Sequence, residues 1–183
     1  MSYHSGNQLI DPYLLFEKAH LREGMFVADF GCGRTGHIVF PAAAVIGERG
    51  VMYAVDILKD TLAGIAKRAE LENMRNVHTV WSNVEKYGAT AIPAQTLDLI
   101  FLVNILFHAA DPTRMLAEAK RLLKDKARLA AVDWKRSDLP FGPKEKLVSF
   151  DHIKQWGQEN NFVVQEEFDM GRYHYGVVLY RHE

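Results

Sequence analysis

The chain of 183 residues has almost no cysteine, with Cys32 as its single thiol. One thiol excludes an internal disulfide and a zinc site built from paired cysteines. No apolar run reaches the roughly 18 to 20 residues of a membrane-spanning helix. Residues 1–9 lack the basic start and apolar stretch of a secretory signal. These absences predict a soluble protein of the cytoplasm, and we infer no metal site from the sequence.

The chain also lacks an excess of charge of either sign. Lysine and arginine together number 22, aspartate and glutamate 23, and the formal net charge is −1. A protein that binds the nucleic-acid backbone normally presents a basic surface, so this balance argues against nucleic acid as the main partner. The length suits one domain with a substantial core. We expect a small molecule as the partner, and a monomer or homodimer as the state of the protein.

Apolar runs separated by helical patterns dominate what is present. Five apolar runs predict strands, at residues 25–30, 51–55, 76–81, 96–103 and 127–132. Helical patterns precede the first run and lie between most of the others, at residues 12–19, 36–46, 60–72 and 111–123. Strands that alternate with helices favour a parallel sheet covered by helices on both faces.

The last third of the chain shows a different order of predicted elements. A helix is predicted from Ser149 to about residue 160, followed by strands at residues 162–168 and 175–180. The loop between these strands is too short for a crossover helix, so they should form an antiparallel hairpin. The predicted fold class is α/β: a three-layer αβα sandwich with a mostly parallel seven-stranded sheet and one antiparallel strand.

A glycine cluster follows the first predicted strand. Gly31, Gly33 and Gly36 have the G-x-G-x-x-G spacing, which lets a ligand approach the backbone closely. Asp29 lies two residues before the first glycine. Asp56 ends the second strand, at the step of about 20 residues that brings a carboxylate to a ribose diol. The two acids favour a nucleotide-like ligand over a tight turn that binds nothing.

In combination these features resemble the class I S-adenosylmethionine-dependent methyltransferases, within them the ubiquinone and menaquinone biosynthesis C-methyltransferase branch. Residues 29–33 resemble the acidic-x-Gly-x-Gly motif of the family, and the closing hairpin resembles its strand order. The resemblance implies methyl transfer from S-adenosylmethionine to an unidentified small acceptor. It also implies a single methyltransferase domain over residues 1–183, in which residues 1–22 pack over the cofactor site.

The resemblance implies a role for each residue of the glycine loop and its two acids. The backbone of Gly31, Cys32 and Gly33 would lie against the methionine and ribose parts of the cofactor. Asp29 would hold the methionine amino group, and Asp56 would accept hydrogen bonds from the ribose hydroxyls. Cys32 fits this turn as a small side chain rather than as a nucleophile.

The remaining implied contacts come from the ends of other strands. Ile57 would pack on the adenine, Asn83 would face its exocyclic amine and the Val84 amide would face a ring nitrogen. Val103 and Asn104, at the end of the fourth strand, would border the methionine chain and the reacting methyl group.

The chain departs from the family at several places. The family often has aspartate where this chain has Asn83, and an amide oxygen can still accept a hydrogen bond there. The turn before residue 127 lacks the usual glycine pair, so it must differ. A single cysteine argues against arsenite methylation, which needs several thiolates.

Candidates for a general base are few. His108 follows the fourth strand, and its unperturbed pKa near 6.5 suits proton removal, although a histidine that merely packs in a loop is an open alternative. Residues 173–175 and the pair Tyr3 and His4 are further candidates. Trp134, in the segment that follows the fifth strand, suggests an apolar or planar methyl acceptor.

Three alternatives remain at the level of function. A nicotinamide-dependent oxidoreductase would share the glycine loop, but Asp29, the hairpin and the lack of a second domain argue against it. A module that binds the cofactor without catalysis stays open because the sequence offers no unambiguous base. Methylation of RNA or protein is a further possibility, which the near-neutral charge and the small size disfavour.

Overall fold

The computed structural model describes residues 9–135 and 147–182. These residues form seven strands, Phe26–Phe30 (β1), Val51–Asp56 (β2), Val77–Trp81 (β3), Leu97–Val103 (β4), Leu123–Trp134 (β5), Phe162–Met170 (β6) and His174–Arg181 (β7). They also form five α-helices, Pro12–Lys18 (α1), Val39–Ile46 (α2), Lys59–Leu71 (α3), Pro112–Leu122 (α4) and Phe150–Glu159 (α5). A short 3₁₀ turn, Leu106–His108, lies between β4 and α4.

All seven strands belong to one sheet, in the order β3-β2-β1-β4-β5-β7-β6. Strands β1 to β5 pair in parallel, whereas β7 runs antiparallel to both β5 and β6. The predicted fold class, with its single antiparallel strand in a closing hairpin, is confirmed. The strand order reverses between β1 and β4, and ligands of open α/β sheets bind at the carboxyl ends of strands at such a point.

Helices cover both faces of the sheet, each over its own apolar cluster. Val27, Phe101 and Val132 lie in the cluster that contains residues of α1, α2 and α3. Their chain neighbours Ala28 and Leu102 lie in the cluster beneath α4 and α5. Neighbouring residues of a strand point to opposite faces, so strands buried on both sides read as continuous apolar runs. This double burial explains why residues 96–103 show no alternation.

The helix starts follow ordinary capping chemistry. Asp11, Asp111 and Ser149 each accept hydrogen bonds from backbone amides in the first turn of the helix that follows. Pro12 and Pro112 occupy the first helical position, where the missing N–H has no partner to lose. The predicted starts of α1, α4 and α5 are therefore confirmed.

Two local expectations were wrong. Helix α2 begins at Val39 rather than Gly36, so Pro41 is its third residue, where backbone amides have no intrahelical partner and no helical hydrogen bond is lost. Strand β5 begins at Leu123, directly after α4, rather than at residue 127, and the connection differs from that of the family as expected. Lys126 adopts a φ of 61° there, and the pairing with β4 shifts register between Leu97 and Leu99. An irregular strand start replaces the glycine pair of the family.

Candidate functional site

The carboxyl ends of β1, β2 and β4 bring most of the predicted site residues to one edge of the sheet. Asp29 lies next to Ala54 of β2 and Phe101 of β4 in the strand register. The backbone amides of Gly31 and Cys32 donate to the Val55 carbonyl at 2.7 and 3.1 Å. The loop after β1 is thereby held against the end of β2.

Asp56, the last residue of β2, organises this loop. Its Oδ2 accepts from the Gly33 amide at 3.2 Å, and its Oδ1 accepts from the Leu58 amide at 2.9 Å. A carboxylate has about four lone-pair sites, so Oδ1 retains capacity for one further donor. At Oδ2 a hydroxyl would compete only with the weak Cys32 thiol donor, whose sulfur lies 4.0 Å away. The side chain is 9 % exposed. Two vicinal hydroxyls are the donor pair that this carboxylate fits.

Asp29 lies deeper, with 2 % exposure. Burial, and secondly the negative charge of Asp56, raise the pKa of Asp29 well above its usual value. A cation beside this carboxyl would oppose both effects by favouring the ionised form. The methionine amino group of S-adenosylmethionine carries such a charge, so the acid pair fits the amino group and the ribose diol of that cofactor.

The glycines serve packing as well as ligand approach. Gly31 has a φ of +73°, and a Cβ there would lie 2.2 Å from Cδ1 of Ile105 in the loop after β4. At Gly36 a Cβ would lie 2.6 Å from Phe40 and 2.8 Å from Ile65. The glycines are therefore needed for the tight packing of this loop, and the same loop can also let a ligand approach its backbone.

Cys32 is buried between the two acids. Burial, followed by the charges of Asp29 and Asp56, raises the pKa of the thiol strongly. The thiolate is the nucleophilic form of cysteine, so this environment suppresses its reactivity. The geometry agrees with Cys32 as a small residue of the turn.

The loop after β3 carries the predicted adenine contacts. Asn83 Oδ1 already accepts from the Glu85 amide at 3.0 Å, which leaves one lone pair for another donor. Val84 is buried, whereas Ile57 beyond β2 is 53 % exposed and presents an apolar surface to solvent. These residues border one end of the edge defined by Asp56.

A buried carboxylate that sequence reasoning missed supports this loop. Glu118 of α4 is fully buried and accepts from the amides of Gly88 and Thr90 at 2.7 and 3.0 Å. It also pairs with Arg121 at 2.7 Å. Burial would raise the pKa of Glu118, but Arg121 and the backbone donors outweigh it and the net shift is downward. An acid on the apolar face of the α4 pattern is the signal that could have revealed it.

On the other side of the site, the segment after β4 turns sharply. Asn104 has a φ of 51°, and its backbone N–H donates to the Val132 carbonyl at 2.9 Å. Val103 is buried beside it. His108 ends the 3₁₀ turn on the surface, with its ring centroid 3.8 Å from that of Phe107, and partial burial lowers its pKa. A neutral imidazole is therefore available at neutral pH.

Asp133, near the end of β5, is a second buried acid that the sequence did not single out. Its carboxylate accepts from the amides of Phe107 at 3.2 Å and Trp134 at 2.8 Å. Burial raises the pKa of Asp133 to about 7, although the backbone donors act in the opposite direction. This residue fixes the turn that carries His108 against β5.

The N-terminal helix packs beside the glycine loop. Phe16 contacts Phe101 at 5.6 Å between ring centroids, and the Ile10 carbonyl lies 2.8 Å from His37 Nε2. The His37 ring is therefore held by the backbone of the segment before α1. The candidates Tyr3 and His4 lie outside the described residues, as do residues 136–143 of the segment after β5.

The described residues offer neither a metal-binding cluster nor a membrane-spanning helix. Within residues 9–135 and 147–182, no group of three or more histidine, cysteine, aspartate or glutamate side chains is arranged to hold a metal ion. Among the helices of the same ranges, none has the length and apolar character needed to cross a membrane.

The strand order, the glycine loop and the acid at the end of β2 define the class I S-adenosylmethionine-dependent methyltransferase fold. The family described as "Methyltransferase domain" matches residues 21–176, and the chain belongs to it. A solved SAM-dependent methyltransferase from Aquifex aeolicus is 27 % identical to this chain in sequence, with a TM-score of 0.83. The match covers 97 % of this chain and 93 % of the Aquifex chain. The predicted family and its cofactor, S-adenosylmethionine, are confirmed.

Curated relatives show the same similarity over shorter spans. Aklanonic acid methyltransferase DauC of Streptomyces sp. strain C5 is 29 % identical over 74 % of this chain and 64 % of its own length. Ubiquinone biosynthesis O-methyltransferase of Haemophilus ducreyi is 32 % identical over 58 % of this chain and 44 % of its own. The matched regions thus span less than two thirds of either relative.

Proposed function

We propose that this protein transfers the methyl group of S-adenosylmethionine to a small planar molecule. The observation that carries the proposal is Asp56, a carboxylate held by the Gly33 and Leu58 amides with lone pairs left for a diol. The curated relatives, named for aklanonic acid and for ubiquinone biosynthesis, support a small-molecule acceptor. Trp134, buried at the end of β5, supports an acceptor with an apolar or planar surface.

When bound, S-adenosylmethionine supplies a methyl group on a positively charged sulfur, which leaves as a neutral thioether. The chain must hold the methyl acceptor in line with that group and keep water away. Asp29 holds the methionine amino group and Asp56 the ribose hydroxyls, while Ile57, Asn83 and Val84 receive the base. Good alignment alone can lower the barrier by roughly 7 to 11 kcal/mol. Catalysis of this kind needs few acid and base groups.

His108 is the residue we assign to proton removal from the methyl acceptor. Its imidazole is neutral because partial burial lowers its pKa, and Asp133 fixes the turn that carries it. His108→Ala should reduce turnover at least roughly tenfold, since general bases contribute about 100- to 10,000-fold. Affinity for S-adenosylhomocysteine should stay unchanged. Equal turnover in the variant and the parent would exclude His108 as the base.

Calorimetry with S-adenosylhomocysteine and NADH separates the proposed function from an oxidoreductase. We expect binding of the first compound only. Transfer of labelled methyl groups from S-adenosylmethionine to a panel of phenols, quinols and carboxylic acids then tests catalysis. Tight cofactor binding with no transfer to the panel or to a cell extract would favour a non-catalytic binding module.

A cytoplasmic location, a monomeric or homodimeric state and the covering role of residues 1–22 complete the proposal. The packing of α1 on Phe101 and the contact between Ile10 and His37 support the last of these.

A further inference from the structure

His174 is a buried polar side chain that the proposed function leaves unused. It is the first residue of β7 and pairs with Trp134 at the carboxyl end of β5. The side chain is fully buried. Within the described residues, neither Nδ1 nor Nε2 of its ring has a hydrogen-bond partner.

The surroundings of this ring are largely apolar. Its centroid lies 4.2 Å from that of Trp134, and Met170 pairs with it from β6. Lys135 is the charge that acts on it, and the Lys135 ammonium already pairs with Asp169 at 2.6 Å. Burial, and then Lys135, lower the pKa of His174 to about 4. At neutral pH the ring therefore carries one N–H and one free lone pair.

A buried polar group without a partner destabilises a fold, and such groups are rare in native proteins. Phenylalanine would fill a similar volume at His174 without that cost. Departures of this kind from a locally optimal sequence concentrate at functional sites. The unpartnered nitrogens therefore call for a ligand that supplies the missing partner.

The position of His174 suits a methyl acceptor. Asn104 follows β4, Trp134 ends β5 and His174 begins β7, which are successive neighbours in the sheet. Strands lie about 4.8 Å apart, so two strand spacings separate His174 from Asn104 by roughly 10 Å across the sheet. One aromatic ring with its substituent spans that distance. The proposed function places the reacting methyl group near Asn104.

We propose that His174 binds a hydroxyl group of a planar methyl acceptor, with Trp134 against the acceptor's ring. A hydroxyl can donate to one ring nitrogen or accept from the other, so it matches a neutral imidazole. The ring is enclosed in this structure, and neighbouring side chains must shift to admit the acceptor, as interface rotamers commonly do on binding. This inference depends on the proposed function, because it concerns the acceptor half of the same site.

The test uses protein labelled with ¹⁵N-histidine and loaded with S-adenosylhomocysteine, after calorimetry has shown that this compound binds. Catechol and its dimethyl ether, which lacks the hydroxyls, are the two probes. Catechol should shift the ¹⁵N signals of His174, assigned from His174→Phe, and the dimethyl ether should leave them unmoved.

His174→Phe should weaken catechol binding at least tenfold, while S-adenosylhomocysteine binds as before and the melting temperature stays equal or rises. His182→Phe is the matched control, since His182 also packs against an aromatic ring, that of Tyr180, but near the opposite edge. This control should bind catechol like the parent.

Unmoved His174 signals, or undiminished catechol binding by His174→Phe, would overturn this inference alone. A melting temperature that falls in His174→Phe together with catechol affinity would also overturn it, because the histidine would then serve the fold. Failure of S-adenosylhomocysteine to bind would instead contradict the proposed function.

Discussion

The proposed site has two halves at the carboxyl ends of the strands, a cofactor half around Asp56 and an acceptor half around Asp133 and His174. The two halves differ in how their polar groups are held. On the cofactor half, Asp56 is held by amides of its own loop and of the loop after β1, within one strand-helix-strand unit. On the acceptor half, Asp133 of β5 reaches back to the Phe107 amide, and His174 meets Trp134 across an antiparallel pair. The first half is built by one local unit, whereas the second is assembled from distant segments.

This difference indicates which half can be shared among methyltransferases and which can vary. A strand-helix-strand unit of fixed length delivers a carboxylate to a glycine loop whatever the rest of the chain does. The acceptor half depends on how β4, β5 and β7 are placed together. We therefore expect changes on the cofactor half to alter S-adenosylhomocysteine affinity and changes on the acceptor half to leave it alone.

The largest effect that would test this division is expected for Asp56→Ala. Loss of a carboxylate that we propose to receive two ribose hydroxyls should raise the dissociation constant of S-adenosylhomocysteine at least about 100-fold, or about 2.7 kcal/mol, by calorimetry. Asp98→Ala is the control. Asp98 accepts from the Phe26 amide at 2.8 Å and pairs with Lys124 at the opposite edge, so its loss should spare that affinity. Equal losses in both variants would contradict the division.

A smaller effect separates packing from backbone strain in the glycine loop. Gly31 and Gly24 both have positive φ, of +73° and +79°, but a Cβ at Gly24 would meet nothing within 4 Å. Gly24→Ala should lower the free energy of unfolding by about 1 to 2 kcal/mol through backbone strain alone. Gly31→Ala should lose about 1 to 3 kcal/mol more, because the Ile105 side chain must move.

Urea unfolding measures both variants, and Ile105→Ala should recover the excess loss in the Gly31→Ala background only. Recovery in the Gly24→Ala background as well, or equal losses for the two glycines, would show that the loop after β4 does not press on Gly31.

The smallest effect, counted per pH unit, concerns the acceptor half and pH. The pKa of Asp133 rises from its usual value of 3.8 to about 7 on folding, because the site is buried. Between those values the folded protein holds more protons than the unfolded chain, so this group's contribution to stability is lost as pH rises. The titration of Asp133 lowers the free energy of unfolding by at most about 1.4 kcal/mol per pH unit.

Asp133→Asn should remove that contribution, so its free energy of unfolding should fall less steeply between pH 4 and pH 7 than that of the parent. Identical slopes would mean that Asp133 does not hold a proton on folding. S-adenosylhomocysteine affinity of this variant at neutral pH should match the parent, because Asp133 belongs to the acceptor half.

Sequence patterns predicted the fold class, the hairpin and the grouping of Asp29, the glycines and Asp56. Those predictions succeeded where the signal lies in spacing along one unit. Glu118 and Asp133 escaped notice because their partners, Thr90 and Phe107, are 28 and 26 residues away. No spacing rule connects such pairs, since they meet only after helices and loops of different units have packed.

Hydrophobic period, caps and glycine positions by themselves determined the elements of this protein, because each depends on interactions between residues a few positions apart. They also determined the cofactor half of the site, because a short crossover has few ways to return to the sheet. Only the tertiary structure decided that His174 meets Trp134 and that Asp133 holds the turn of His108. Those contacts depend on the order in which β4, β5 and β7 pair. No local run of residues specifies the pairing of strands that are separated by long loops.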